Sequence, residues 1–175
     1  MSALRKDAER NRVRIIEAAA RLRERGEPLQ LNAVAREADV GVGTVYRHFA
    51  TIAELEEVLA LPRFAELQQL VAGSGASGPG RLLQDAFGVL LSDELFADVA
   101  TRAELTPGVT AVRTALIAAL AERLDRFRSV GQLDTPATAT EILVVLCGLA
   151  HALRSAPGAV RADIVLRVVL DGLRC

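Results

Sequence analysis

The stretch that most constrains the fold runs from Leu29 to Leu55, because it predicts two short helices joined by a tight turn and followed by the start of a third. Apolar residues at helical spacing mark one face of the first helix, namely Val34, Ala35 and Ala38. The second helix is predicted from about Val42 to Phe49. Two helices joined in this way form a helix-turn-helix, whose second helix lies in the DNA major groove when such a motif binds DNA.

The residue types within this motif fit that geometry. Ala35 is small enough for the two helices to cross closely, and Asp39 is a residue that tolerates the positive φ expected in the turn. Gly43 would let the backbone approach a phosphate, and the hydroxyls of Thr44 and Tyr46 could reach a phosphate or a base edge. The alternative for Tyr46, the single tyrosine of the chain, is a place in the core.

The segment from Val34 to Phe49 resembles the helix-turn-helix of the TetR family of bacterial transcriptional regulators, most specifically in Gly43-Thr44-Val45-Tyr46 with His48-Phe49. The resemblance is strong over about residues 12–59, and the rest of the chain matches in length and helical pattern. It implies an all-helical homodimer that binds double-stranded operator DNA and releases it when a small-molecule effector binds the C-terminal domain.

Carried onto this sequence, the resemblance and the motif together predict a set of DNA-contacting residues on the two helices. The set is Asn32, Arg36, Val42, Gly43, Thr44, Tyr46 and His48. The chain departs from the family pattern at three positions: Asp39 stands in place of a glycine, Ala50 in place of a proline, and Ile52 in place of a basic residue that contacts phosphate. Losing one phosphate contact lowers the salt dependence of DNA binding by about 0.9 in the slope of log K against log salt.

Composition predicts a globular, helical chain, since 51% of the residues are hydrophobic, 25% are charged and only 3% are aromatic. No apolar run approaches the roughly 18–20 residues of a membrane span, and the charged start does not fit a signal peptide, so we expect a cytoplasmic protein without a membrane partner. Cys147 and Cys175 are too few for a disulfide framework, and Cys147 lies in an apolar run typical of a core.

Charge is distributed unevenly, although the net charge is only −1. Residues 1–50 hold ten basic and seven acidic residues, a net of +3, whereas residues 51–175 hold eleven and fifteen, a net of −4. A basic head on an acidic body is typical of a protein that places one end on phosphate. A chance distribution of surface charge is the alternative.

The fold class predicted is all-α, with an N-terminal three-helix DNA-binding domain over residues 1–50 and a C-terminal helical ligand-binding and dimerisation domain over residues 51–175. The first helix is predicted over 6–25, with a buried stripe of Val13, Ile16, Ala20 and Leu22. Its early arginines, Arg10, Arg12 and Arg14, either touch the DNA backbone or form a solvated face. Further helices are predicted from Thr51, with Glu54 completing a capping box and Pro62 kinking or breaking the helix, and then over 81–92, 93–105, 110–130, 137–154 and 160–173. The glycine-rich stretch 73–80 is predicted to be a flexible loop.

The ligand site is predicted where the middle helices face one another, as an apolar pocket with a few polar groups. Its candidate residues are Phe64, Phe87, Leu91, Phe96, Arg102, Phe127 and His151, with Arg102 and His151 as polar contacts for an anionic ligand. Ordinary core packing is the alternative for each aromatic residue.

The last two helices are the predicted dimer interface, because the run 143–153 is apolar nearly all round. The interface candidates are Leu143, Leu146, Gly148, Leu149, Ala152, Val165, Val168, Val169 and Gly172. An intrachain core is the alternative. No metal-ligand spacing, cofactor motif or nucleophile frame is present in the sequence, so we expect neither a metal, nor a cofactor, nor an enzyme. The rival to a regulator is a helical small-molecule binding or scaffolding protein whose head has lost operator recognition.

Overall fold

The computed structural model describes residues 3–74, 78–156 and 160–173, and within these ranges the secondary structure consists of nine α-helices with no strand. The helices are α1 (Ala3–Glu24), α2 (Leu31–Glu37), α3 (Val42–His48), α4 (Ile52–Gly73), α5 (Pro79–Ser92), α6 (Glu94–Thr101), α7 (Pro107–Ser129), α8 (Ala139–Ser155) and α9 (Ala162–Gly172). The predicted all-α class is confirmed. None of the helices in these ranges combines the length and the hydropathy that a bilayer span requires.

The chain divides into two compact units, Met1–Leu59 and Ala60–Cys175. The first unit therefore extends beyond residue 50, where the sequence placed its end. The reason is packing, because Leu55 is fully buried in the core of the first unit, and Val58 and Leu59 pack against the same core. The opening turns of α4 are thus part of the first unit, the head of the molecule, by their contacts.

The first unit is built around a cluster contributed by α1 to α4. The buried stripe of α1 consists of Ile15, Ala18, Ala19 and Leu22, a pattern of i, i+3, i+4 and i+7. The predicted stripe is confirmed at Leu22 and wrong at Val13, which is 44% exposed, while Ile16 and Ala20 are only partly buried.

Helix α4 continues through Pro62, so the predicted break is wrong. Proline removes one backbone donor and disfavours a helix interior. On both sides of the proline, however, the buried residues of α4 keep a single helical phase, with Ala60, Phe64, Leu67 and Val71 all in the core of the second unit. We infer that this packing offsets the lost hydrogen bond.

Capping residues explain where two helices of the second unit begin. Asp93 precedes α6, and its carboxylate accepts a hydrogen bond from the Phe96 amide at 3.0 Å. Thr138 and Glu141 form a full capping box at the start of α8. The predicted start of α8 at about residue 137 is therefore two residues too early, because the Thr138-x-x-Glu141 capping signature was overlooked.

The remaining predicted bounds differ from the observed ones by a few residues, most of all at α6, which ends at Thr101 and not at residue 105. The predicted loop 73–80 lies between α4 and α5, but its residues 75–77 lie outside the described part of the chain. Residues 157–159 and the second cysteine, Cys175, also lie outside it. Cys147 is a core residue, 5% exposed, and its burial raises the pKa of the thiol to about 12.

Candidate functional site

The turn between α2 and α3 is built by the backbone around Asp39, whose φ is 51°. The Asp39 amide donates to the Arg36 carbonyl at 3.2 Å, and the Val40 amide donates to the Ala35 carbonyl at 3.0 Å. These two bonds form a Schellman motif, in which a left-handed residue ends a helix. The prediction that Asp39 adopts positive φ is confirmed.

Helix α3 presents one face to the core and the other to solvent. Val45 is fully buried and Phe49, its C-cap, is 2% exposed. Val42 and Tyr46, one turn apart, lie on the outer face at 41% and 51% exposure, so Tyr46 is a surface residue and not a core residue. Thr44 and His48 flank this face and are partly buried.

Gly43 is also exposed, and a Cβ at this position would meet no atom within 4 Å. Glycine inside a helix costs up to about 1 kcal/mol relative to alanine. Since nothing within the described chain requires a glycine here, the open space beside its backbone is available to a partner.

Two arginines on the helix-turn-helix have no carboxylate partner among the described residues: Arg36 and Arg47. Arg36 shares the exposed face of α2 with Asn32, one turn away, and Arg47 is exposed next to Tyr46. Arg47 was not among the predicted contact residues. Its position one turn after Gly43 could have identified it, because residues at i and i+4 share a helix face.

The three early arginines of α1 have contacts within the head. Arg10 pairs with Asp7 on the surface, and the Arg12 guanidinium lies over the Phe49 ring at 5.4 Å from its centroid. One nitrogen of Arg14, Nη2, donates to the carbonyls of Ala38 and Asp39 at 2.7 and 3.0 Å. Arg14 was predicted either to touch the DNA backbone or to belong to a solvated face. Its side chain instead reaches the turn of the helix-turn-helix.

The start of α4 departs slightly from the predicted capping box. The Glu54 amide donates to the Thr51 hydroxyl at 3.2 Å, but the Glu54 carboxylate accepts from the Ala50 amide at 2.8 Å and not from that of Thr51. Ile52, where the family has a basic residue, is partly buried and packs against the core of the first unit.

An ion-pair network fastens α1 to α2. Glu37 accepts hydrogen bonds from Arg21 Nε at 2.9 Å and from Arg25 Nη2 at 2.8 Å. These hydrogen bonds, with Arg25 contributing more than Arg21, lower the pKa of Glu37 from 4.5 to about 2. Because the pKa is depressed in the folded state, the stabilisation is fully present above about pH 4.5 and is lost as the pH falls towards 2.

We therefore expect Glu37→Gln to lower the melting temperature at neutral pH, and the difference from the parent protein to shrink steadily between pH 4.5 and 2. Melting curves followed by circular dichroism over this range would measure it. Glu24→Gln, at an exposed carboxylate of α1, is the matched control and should leave the pH profile unchanged. A difference at Glu37 that persists unchanged at pH 2 would contradict the assignment.

The predicted ligand residues do not form one pocket. Phe64 and Phe96 are fully buried and contact each other edge to face, with ring centroids 4.9 Å apart, and Phe87 and Phe127 are also core residues. The other three lie apart from this group: Leu91 and Arg102 are partly buried, and His151 is exposed. The core interpretation of the aromatic residues therefore accounts for their positions, and His151 points to solvent.

The second unit instead contains a closed apolar cavity of about 30 Å³. It is lined by aliphatic residues of α4, α5, α7 and α8: Leu67, Val71, Leu82, Leu83, Ala86, Leu90, Leu116, Ile117, Leu120, Ile142, Leu143 and Leu146. Such a space holds a water molecule or two, whereas drug-sized ligands occupy several hundred Å³. A larger cleft of about 290 Å³ lies between the end of α4 and the start of α5 and is lined by both polar and apolar residues, among them Glu66, Leu70 and Asp85.

One polar side chain was missed by the sequence interpretation: Arg154 bonds to a residue that lines the cavity, although it does not line the cavity itself. Arg154 Nη1 donates to the carbonyl of Leu90, a cavity residue, at 2.9 Å. Its Nε and Nη2 are buried, and neither has a hydrogen-bond partner within the described part of the chain. Buried donors are nearly always satisfied, so this guanidinium edge requires an acceptor from water or from a ligand.

The last two helices expose apolar residues, but not all of the predicted ones. Leu143 and Leu146 are buried in the core of their own unit, so their assignment to a dimer interface is wrong. The outer face of α8 carries Val144, Val145, Gly148 and Ala152, with Leu149 partly buried. On α9 the exposed residues include Ile164, Val168 and Gly172 together with the charged Asp163, Arg167 and Asp171, whereas Val165 and Val169 are partly buried.

Comparison with known proteins relates the first unit to a family of regulatory proteins. Residues 15–58 match the model of the bacterial regulatory proteins of the tetR family. An HTH-type transcriptional regulator of Staphylococcus aureus (strain USA300) is 44% identical over 54 residues, which are 30% of this chain and 29% of that protein. The chain thus aligns with less than a third of the length of this relative.

Solved structures extend the likeness to the whole fold. The TetR transcriptional regulator SCO0520 from Streptomyces coelicolor is 29% identical, with a TM-score of 0.53, over 93% of this chain and 98% of that one. The multidrug binding protein EbrR, solved in complex with ethidium, is 23% identical with a TM-score of 0.58 over 93% of this chain and 98% of its own, a likeness of fold. Residues 15–58 of this chain thus form a helix-turn-helix domain of the tetR family of bacterial regulatory proteins, and the helical unit that follows shares the fold of a solved TetR transcriptional regulator.

Proposed function

We propose that the protein is a repressor that binds a palindromic operator as a homodimer and releases it when a small molecule binds the second unit. The observation that carries the DNA part of the proposal is the outer face of α3, where Val42 and Tyr46 are exposed beside Arg47. Since operator binding requires access to the chromosome, the proposal places the protein in the bacterial cytoplasm.

Each exposed group on this surface suits a different part of a DNA duplex. The Tyr46 and Thr44 hydroxyls can bond a phosphate or a base edge, and Val42 can contact a thymine methyl group. Arg36 and Arg47, which lack internal carboxylate partners among the described residues, are suited to phosphates, and Asn32 and His48 lie near enough to the same face to add backbone contacts.

We expect Tyr46→Phe and Thr44→Ala each to weaken operator binding by about 1–2 kcal/mol, roughly five- to thirtyfold, because each removes a hydrogen bond to a charged or polar DNA group. Fluorescence anisotropy with the promoter region of the protein's own gene would measure the dissociation constants. Melting temperatures should stay within a few degrees of the parent value, since Tyr46 is 51% exposed. Unchanged dissociation constants for both variants would remove these residues from the interface.

The rival proposal, a helical small-molecule binding or scaffolding protein, has one specific observation in its favour. Ile52 packs inward at the position where the family presents a basic residue to phosphate. Titration of the parent protein with promoter DNA and with a scrambled duplex at moderate salt separates the two proposals. Equal affinity for both duplexes would favour the rival.

The dimer part of the proposal rests on the apolar outer faces of α8 and α9. Val144 and Val145 are 54% and 49% exposed, and Val168 is 69% exposed. Several exposed large apolar side chains on one helix are typical of a face that forms a protein interface. A twofold dimer would also match the twofold symmetry of a palindromic operator, with the two recognition helices about 34–36 Å apart.

The effector part rests on the apolar cavity and on Arg154. A ligand has to widen the cavity of about 30 Å³, and the unpaired edge of Arg154 favours one with a carboxylate, which accepts two parallel hydrogen bonds. We expect a medium-chain fatty acid to raise the melting temperature and to weaken operator binding about five- to 150-fold, the usual range of such coupling. The corresponding amide is the matched ligand and should do neither. A ligand that stabilises the protein without altering operator affinity would contradict the effector role.

A further inference from the structure

The turn of the helix-turn-helix places a non-glycine residue, Asp39, in a backbone conformation that favours glycine. Among the described residues, Asp39 is the only non-glycine residue with positive φ. A side chain in this left-handed region is strained, and helices most often end here on a glycine because it has no Cβ. By its local sequence alone, the turn that sets the direction of α3 is therefore less stable than the same turn with a glycine at position 39.

Arg14 lies where it can compensate for this strain. A Schellman motif satisfies the carbonyls of the preceding turn through the Asp39 and Val40 amides, but among the described residues no backbone amide donates to the carbonyls of Ala38 and Asp39. Arg14 Nη2 donates to both of these oxygens, and it also lies 3.6 Å from the Asp39 carboxylate. A charged donor at the C-terminal end of a helix further stabilises it by interaction with the helix dipole.

We propose that Arg14 is a positioning residue for DNA recognition, which holds the turn between α2 and α3 in the conformation that a non-glycine residue at position 39 would otherwise disfavour. Arg14 acts through the carbonyls of the turn and not through a DNA phosphate. The inference rests on the proposed DNA-binding function only for its effect on affinity, since the coupling between Arg14 and Asp39 is a property of the folded head.

The test is a double-mutant cycle of Arg14→Gln, Asp39→Gly and the combined variant. Glycine at position 39 removes the strain, so the turn should form without Arg14. We expect Arg14→Gln to weaken operator binding about tenfold in the parent protein and less than about threefold in the Asp39→Gly protein. The slope of log K against log salt should be the same in all four proteins.

A second measurement reads the coupling without DNA. Urea unfolding of the same four proteins should show that Arg14→Gln lowers the midpoint more in the parent than in the Asp39→Gly background. An equal fall of the urea midpoint in the parent and Asp39→Gly backgrounds would overturn the inference. It would also be overturned if Arg14→Gln lowered the slope of log K against log salt by about 0.9 per head, because Arg14 would then be a phosphate contact. If none of the proteins binds operator but the unfolding cycle shows the coupling, the proposed function fails and the structural role of Arg14 stands.

Discussion

Replacing Val168 by glutamate should convert the protein from a dimer to a monomer. The proposal places this side chain, 69% exposed in one copy, inside an apolar interface between two copies of α9. Burying an ionised carboxylate without a partner costs several kcal/mol, and twofold symmetry introduces the charge twice. We expect the dimer dissociation constant to rise by at least about a hundredfold, since roughly 3 kcal/mol corresponds to that factor. Sedimentation velocity over a range of concentrations would measure it.

The chain offers a closely matched control in Val130, which is 67% exposed at the C-cap of α7 and lies outside the proposed interface. Val130→Glu introduces the same charge at the same exposure and should leave the protein a dimer with parental operator affinity. Val168→Glu should bind operator weakly, because a single head makes only half of the contacts. If Val168→Glu still sediments as a dimer, or if the parent protein is already a monomer, this interface is wrong.

The largest effect on folding is expected at Phe96. Its ring is fully buried and packs edge to face against Phe64 at 4.9 Å between centroids. Removing it leaves a cavity that the surrounding helices cannot close completely, so Phe96→Ala should lower the free energy of unfolding by about 3–5 kcal/mol. Urea unfolding followed by circular dichroism would measure the loss. Phe96→Leu, which retains much of the volume, should lose considerably less.

An exposed valine again supplies the reference, because Val130→Ala should change the free energy of unfolding by less than about 0.5 kcal/mol. The prediction also separates the two roles considered for Phe96 from its sequence context. A residue that lines an open ligand pocket could be truncated at little cost in stability and would chiefly alter effector response. Near-parental stability of Phe96→Ala would therefore restore the ligand-pocket interpretation.

Local signals in the sequence were sufficient for the helix-turn-helix. Its helices follow from residue spacing, and the positive φ of Asp39 follows from the few residue types that tolerate it. The exposure of Tyr46 followed from its place one turn after Val42, on the same exposed side of the helix. These features depend on residues close together in the chain, so a short stretch specifies them.

Errors arose wherever the answer depended on what a helix packs against. On α8, apolar on nearly every side, the sequence could not separate Leu143 and Leu146, which face the core, from Val144 and Val145, which face solvent. On α4, the continuation of the helix past Pro62 depends on distant packing partners of Phe64 and Leu67. The hydrophobicity of a side chain predicts that it will be buried, but it does not predict which other surface will cover it.

The sequence by itself determined the all-helical class, the helix-turn-helix and the left-handed turn residue, because backbone propensity and periodicity act over a few residues. Only the tertiary structure decided that Arg14 reaches the turn 24 residues away, that Arg154 donates to the carbonyl of Leu90, and which valines of α8 and α9 remain exposed. Such contacts join residues far apart in the chain, and their geometry exists only once the helices have packed.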